Sequence, residues 1–169
     1  VEFYESTTML GSEMNYPFDF RVDNLPLGTH NIYAKIFSGE EYGISNFLTI
    51  IAGEQIAYEN VPYDIPGTLE PGKYDSFEGG LGQNISYFDS SIDNKGNYRS
   101  TEFVDVEFSS EDEGPTLGWI EAGEWLEYSI TVSEPAFYDL SYRFSSGNSS
   151  SSGGFYFEIN GIKVSEDIY

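Results

Sequence analysis

Apolar and polar residues alternate with a period of two along much of this chain, and no stretch of ten or more residues keeps a helical period. The alternation predicts strands over 1–5, 16–22, 30–38 and 46–52, then over 67–73, 85–88, 103–108, 116–121, 124–132, 137–144, 154–159 and 162–165. Turn signals separate them, notably Asn24-Leu25-Pro26-Leu27-Gly28 and Ser38-Gly39. The pattern is sharpest after Gly123. Glu124, Leu126, Tyr128, Ile130 and Val132 fall on one face, and Trp125, Glu127, Ser129 and Thr131 on the other. The first set reads as the core face of a half-buried strand, so Trp125 stands among polar residues on the wet face. An indole placed there is either a stacking platform for something flat and rich in hydroxyls, such as a sugar ring, or a cap on the end of the core.

Composition agrees with an all-β protein. The 169 residues include 18 Gly and 7 Pro for turns, and 14 Tyr, 13 Phe and 2 Trp for a packed core. Charge narrows the partners. Twenty-nine acidic residues against seven basic give a net charge of −22, which excludes nucleic acid, because binding phosphates needs a basic footprint. An anionic membrane surface is disfavoured for the same reason, and no apolar run is long enough to insert in a bilayer. With no cysteine, disulfides and thiolate metal sites are absent.

The organisation is bipartite. Residues 1–52 form one strand-rich segment, 53–64 a polar linker, and 65–169 a second module. The run Val1-Glu2-Phe3-Tyr4, Leu10-Gly11, Tyr16-Pro17-Phe18, Leu25-Pro26-Leu27-Gly28-Thr29-His30 and Tyr33-Ala34 resembles the later half of a bacterial immunoglobulin-like repeat, a spacer beside catalytic modules. His30 follows a turn and reads as a solvated histidine at a strand start. Residue 1 lies inside an expected strand and residue 169 closely follows one, so the chain reads as a window of a longer protein.

The second module carries Ile65-Pro66-Gly67-Thr68-Leu69-Glu70, Tyr74-Asp75, Glu78-Gly79-Gly80, Ile85-Ser86-Tyr87-Phe88-Asp89, Asn97-Tyr98-Arg99 and Val104-Asp105-Val106-Glu107. It closes on Gly118-Trp119-Ile120-Glu121-Ala122-Gly123-Glu124-Trp125-Leu126-Glu127-Tyr128, the most specific of these motifs. In order and spacing it resembles the family 6 carbohydrate-binding modules. The expected architecture is therefore two β-sandwich modules in tandem, a partial immunoglobulin-like one and then a jelly-roll-type one.

The resemblance implies a sugar site in the loops at one end of the second sandwich. Trp119 matches its gripping aromatic and Glu107 its carboxylate, while Asn97 and Tyr98 lie in the loop that shapes the pocket. For Tyr98 a loop anchor is the alternative role. Sugar C–H faces pack on an indole, and a carboxylate gives charge-assisted hydrogen bonds to hydroxyls. Trp125 matches a second cleft on a sheet face that some members use. The resemblance also implies one structural calcium, with Glu70 as a ligand; the next usual acidic ligand is replaced by Gly72. The second gripping aromatic and an asparagine of the family's site are expected beyond Tyr169.

The carboxylate pairs Glu121/Glu124 and Glu124/Glu127 are the residue types of a glycosidase acid and base. Alternation puts Glu124 and Glu127 on opposite faces, and Glu121 precedes the turn, so no catalysis is expected. Glu111-Asp112-Glu113 reads as a solvated loop run, and Arg99 as the partner of Glu102 or Asp105. The expected function is non-catalytic binding of a polysaccharide or oligosaccharide, holding covalently linked domains of a longer bacterial secreted or cell-surface protein to its substrate. The competing expectation is a structural or adhesive stalk with a degenerate sugar site.

Overall fold

The structure, a computed structural model, describes residues 1–108, 114–144 and 153–169. The chain is all-β: among the described residues there are strands, turns and one short 3₁₀ turn at Tyr58–Asn60, with no α-helix. It divides into two compact units, Val1–Val132 and Ser133–Tyr169.

The first unit opens with a five-stranded antiparallel sheet built on a long strand β3 (Gly28–Ser38). On one side, β1 (Glu2–Glu5) pairs with the middle of β3 and carries β2 (Thr8–Ser12) at the edge. On the other side, β4 (Glu41–Ile44) pairs with the end of β3 and β5 (Leu48–Ala52) with its start. One face of this sheet receives Phe20, which stacks on Phe3 at 4.9 Å. The strand expected at 16–22 does not form. Pro17 has no N–H to give to a ladder, and Phe18 takes φ +63 with its N–H bonded back to Asn15 O at 2.8 Å. The segment is a turn that delivers Phe20 to the sheet.

His30 is not solvated as expected. It is 7% exposed, with Nδ1 2.6 Å from Glu5 Oε1 and Nε2 2.8 Å from Pro26 O. Its place in the strand puts it opposite Ile50 on the covered face of the sheet. The turn residue Pro26 and the β1 carboxylate then close over both ring nitrogens.

The segment expected as a linker carries strands. β6 (Gln55–Ile56) pairs with β8 (Ser76–Phe77), and β7 (Tyr63–Ile65), which begins at the linker's last two residues, runs parallel to β13 (Ile130–Val132). Three further antiparallel pairs complete the described ladders. These are β9 (Tyr87–Phe88) with β12 (Trp125–Leu126), β10 (Val106–Phe108) with β11 (Pro115–Leu117), and, in the second unit, β14 (Glu158–Ile159) with β15 (Ile162–Lys163).

The core beside the candidate site is aromatic. Tyr74, Tyr87, Val104 and Val106 are buried together, with Tyr98, Phe103, Leu117, Leu126 and Tyr128 packed against them. Tyr74 meets Tyr87 edge-on at 5.3 Å, a geometry the ring quadrupoles favour. The alternation predicted after Gly123 holds through Tyr128 and then fails, leaving Ile130 40% and Val132 49% exposed. Ser129 turns inward instead, toward a buried carboxylate.

In the second unit the expected strand 137–144 does not join a ladder. Tyr142, Phe144, Phe155 and Phe157 gather there with ring centres 5.6 to 6.2 Å apart. The acidic run Glu111-Asp112-Glu113 lies outside the described residues.

Candidate functional site

Asp75 organises the site region from below. Its carboxylate is 1% exposed and accepts from Gln55 Nε2 at 2.8 Å, Ser129 N at 2.9 Å and Ser129 Oγ at 2.7 Å. A buried charge persists only when its lone pairs are filled, and here residues far apart in sequence fill them. Arg99 sits beside it, with its guanidinium carbon 3.6 Å from the Tyr74 ring centre. Its nitrogens donate to the Tyr74 carbonyl, to Asp75 O at 3.3 Å, to Ser76 Oγ at 3.0 Å and to both Glu102 oxygens at 2.8 and 2.9 Å. Of the two carboxylates expected for Arg99, Glu102 is the partner. Asp105 accepts instead from Lys95 N at 2.5 Å.

The 94–99 loop is tucked against β10. Asn97 N and Tyr98 N both donate to Val106 O, at 2.9 and 3.0 Å. Gly96 permits this approach, because a Cβ there would lie 1.8 Å from the same oxygen. Asn97 is exposed, yet its Oδ1 is engaged by Phe108 N at 2.9 Å. Tyr98 is half-buried, edge-on to Phe108 at 4.9 Å, and its hydroxyl pairs with that of Tyr58. Tyr98 therefore anchors the loop. Tyr58 and Phe108 were missed in sequence, since nothing local marks a pairing 40 residues apart.

Glu107 and Trp119 are both exposed, Glu107 inside the β10–β11 ladder and Trp119 beyond it. Glu107 faces Thr116 across β10–β11, and Gly118 N donates to Asp105 O at 2.9 Å. Trp119 lies two residues past the end of β11, at a bend outside the paired register. Trp119 is 49% exposed and adopts φ +46, a left-handed conformation that is uncommon for a bulky residue. Trp125, 38% exposed, sits opposite Phe88 in the β9–β12 pair, while its neighbour Leu126 faces Tyr87 on the core side. The two indoles occupy different places.

Next to Trp119 the chain turns so that Glu121 and Glu124 converge on Ser90. The Ser90 hydroxyl lies 2.8 Å from Glu121 Oε2 and 2.9 Å from Glu124 Oε1, and its single proton serves one of them at a time. Glu124 also accepts from Ser90 N at 3.1 Å and Glu121 N at 2.8 Å. These carboxylates pin the Trp119 loop to the 89–91 segment.

Glu70, the ligand implied for calcium, is ion-paired. Its Oε2 lies 2.8 Å from Lys73 Nζ, so an ammonium already neutralises the carboxylate. At Gly72 no acidic side chain has room, because a Cβ there would lie 2.6 Å from Val106 Cγ1 and 2.7 Å from Pro115 Cβ. Among the described residues no group of three or more His, Cys, Asp or Glu side chains converges as a metal site.

No family model, curated protein or solved structure matches this chain. Among the described residues no helix is long and apolar enough to cross a membrane.

Proposed function

We propose that this chain is a non-catalytic polysaccharide-binding segment whose Trp119 loop stacks on sugar. The observation that carries the reading is an exposed indole held at φ +46 on a loop pinned by Glu121, Glu124 and Ser90. Left-handed backbone at a non-glycine residue costs about 1–3 kcal/mol and concentrates where function over-determines it. A pre-set ring loses little entropy when a sugar packs on it. In this reading the segment sits in an extracellular, secreted or cell-surface protein of bacterial type and holds linked domains near a glycan. Tethering of that kind makes weak affinity useful by raising local concentration.

The use of Tyr98 as a loop anchor, edge-on to Phe108 and hydroxyl-paired with Tyr58, favours the second reading, an adhesive or structural stalk with a degenerate site. Affinity electrophoresis in gels containing neutral polysaccharides separates the two. Trp119→Ala is expected to weaken retardation roughly tenfold or more, as loss of one stacked aromatic does, with Trp125→Ala close to wild type. Retardation that depends on Trp125 and not on Trp119 would move the site to the β9–β12 face. Absence of retardation in every gel would leave the stalk.

A further inference from the structure

The five-stranded sheet has a second face that the loop site does not use. Its register separates two sets of side chains. Phe3, His30, Ile32 and Ala34 share the side covered by Phe20, and Tyr4, Tyr33, Lys35 and Phe37 share the other. On that other side Tyr4 stacks on Tyr33 with ring centres 5.5 Å apart and planes 17° from parallel. Tyr33 meets Phe47 at 5.2 Å, and Phe37 meets Tyr42 at 5.8 Å. Lys35 lies between the two groups, its Nζ 4.2 Å from the Tyr4 ring centre and 5.4 Å from that of Tyr42. The result is one aromatic band across the sheet.

We propose that this band is a second glycan-binding surface, taking a stretch of neutral polysaccharide laid across the first sheet. For its ligand class the proposal rests on the function proposed above. Three observations select this occupant. The band is open, with Phe37 45%, Tyr42 57% and Phe47 65% exposed. Its rings are already stacked on one another, so binding orders little that is not ordered. Its charge is balanced, because Lys35 stands opposite Glu2 in the β1–β3 register. With a net charge of −22 on the chain, a second copy or another acidic partner is repelled, and one lysine does not offset that field for a polyanion. A neutral sugar chain meets no such penalty. Its C–H faces pack on the rings, and its hydroxyls find the Lys35 ammonium and the Glu2 carboxylate, which already accepts from Tyr4 Oη at 2.6 Å.

The test uses affinity electrophoresis in β-glucan, xylan and mannan gels on the wild-type chain, the double variant Tyr42→Ser/Phe47→Ser, Trp119→Ala, and all three changes together. Tyr42 and Phe47 are exposed enough for the fold to survive their loss, and circular dichroism checks that it does. The expected result is a roughly tenfold weaker interaction for the double variant, and none for the triple variant. A double variant that binds like wild type while Trp119→Ala does not overturns this inference and leaves the loop site standing. Loss in the double variant with Trp119→Ala unaffected keeps the band and removes the loop site. Absence of retardation in every gel overturns both. Concentration-dependent dimers in sedimentation velocity that the double variant abolishes would make the band a self-association face and overturn the proposal.

Discussion

Ser129 gives both its backbone N–H and its hydroxyl to the buried carboxylate of Asp75, at 2.9 and 2.7 Å. Asp75 N in turn donates to Glu127 O at 2.9 Å, and Tyr63 N to Ser129 O at 2.9 Å. Three distant segments are thereby fixed around one charge.

Replacing Asp75 with Ala strands the Ser129 and Gln55 donors in the interior. The expected loss of stability is on the order of 3 kcal/mol, since each unsatisfied buried donor costs about 1–3 kcal/mol. Urea denaturation followed by tyrosine fluorescence measures it. A loss below about 1 kcal/mol would mean that water reaches the carboxylate.

Arg99→Lys keeps the charge and loses the fork. Lysine cannot reach the Tyr74 and Asp75 carbonyls, Ser76 and Glu102 together, nor lie flat on Tyr74. The expected destabilisation is about 2 kcal/mol or more, with a loosened 94–99 loop visible as faster amide exchange at Asn97 and Tyr98. Unchanged exchange there would separate Arg99 from the loop.

Both ring nitrogens of His30 face acceptors, Pro26 O and the Glu5 carboxylate, and the imidazolium satisfies both. The carbonyl of Pro26 first, and Glu5 second, raise its pKa above the ordinary histidine value. A raised pKa in the folded state gives stabilisation that is complete below about pH 6.5 and is lost as pH rises through the folded value. The melting temperature should therefore fall over that interval, and His30→Gln should flatten this part of the profile. A His30→Gln profile that keeps the full slope would assign the effect to another group.

Calcium should not act through Glu70. With Lys73 Nζ 2.8 Å from its carboxylate, adding millimolar calcium is expected to shift the melting temperature of wild type and Glu70→Gln equally. A calcium-induced rise that Glu70→Gln abolishes would show that the ion displaces Lys73.

Much of the strand content was legible because side-chain alternation is local. The strands at 2–5, 28–38 and 48–52, and the in–out order from Glu124 to Tyr128, follow from residues that are neighbours in the chain. Where the reading missed, the cause was non-local. At 16–22 an apolar run became a turn because Pro17 lacks a donor and Phe20 had a ring to cover. At Ile130 and Val132 the alternation met no covering layer, while Ser129 answered a carboxylate 54 residues away. The candidate site behaved likewise: the motif singled out Trp119, Glu107, Asn97 and Tyr98, but packing against Phe108 and Tyr58 made Tyr98 an anchor.

By itself the sequence determined the all-β class, the main turns and the placing of Trp125 on the outer face of its strand. Only the tertiary structure decided which strands pair, that His30 is enclosed, that Lys73 holds Glu70, and that Tyr4, Tyr33, Lys35, Phe37, Tyr42 and Phe47 form one band. The reason is physical. Periodicity tells which way a side chain points from its own strand, whereas partners are chosen by closing loops and filling buried hydrogen-bonding groups, and that choice depends on the whole chain at once.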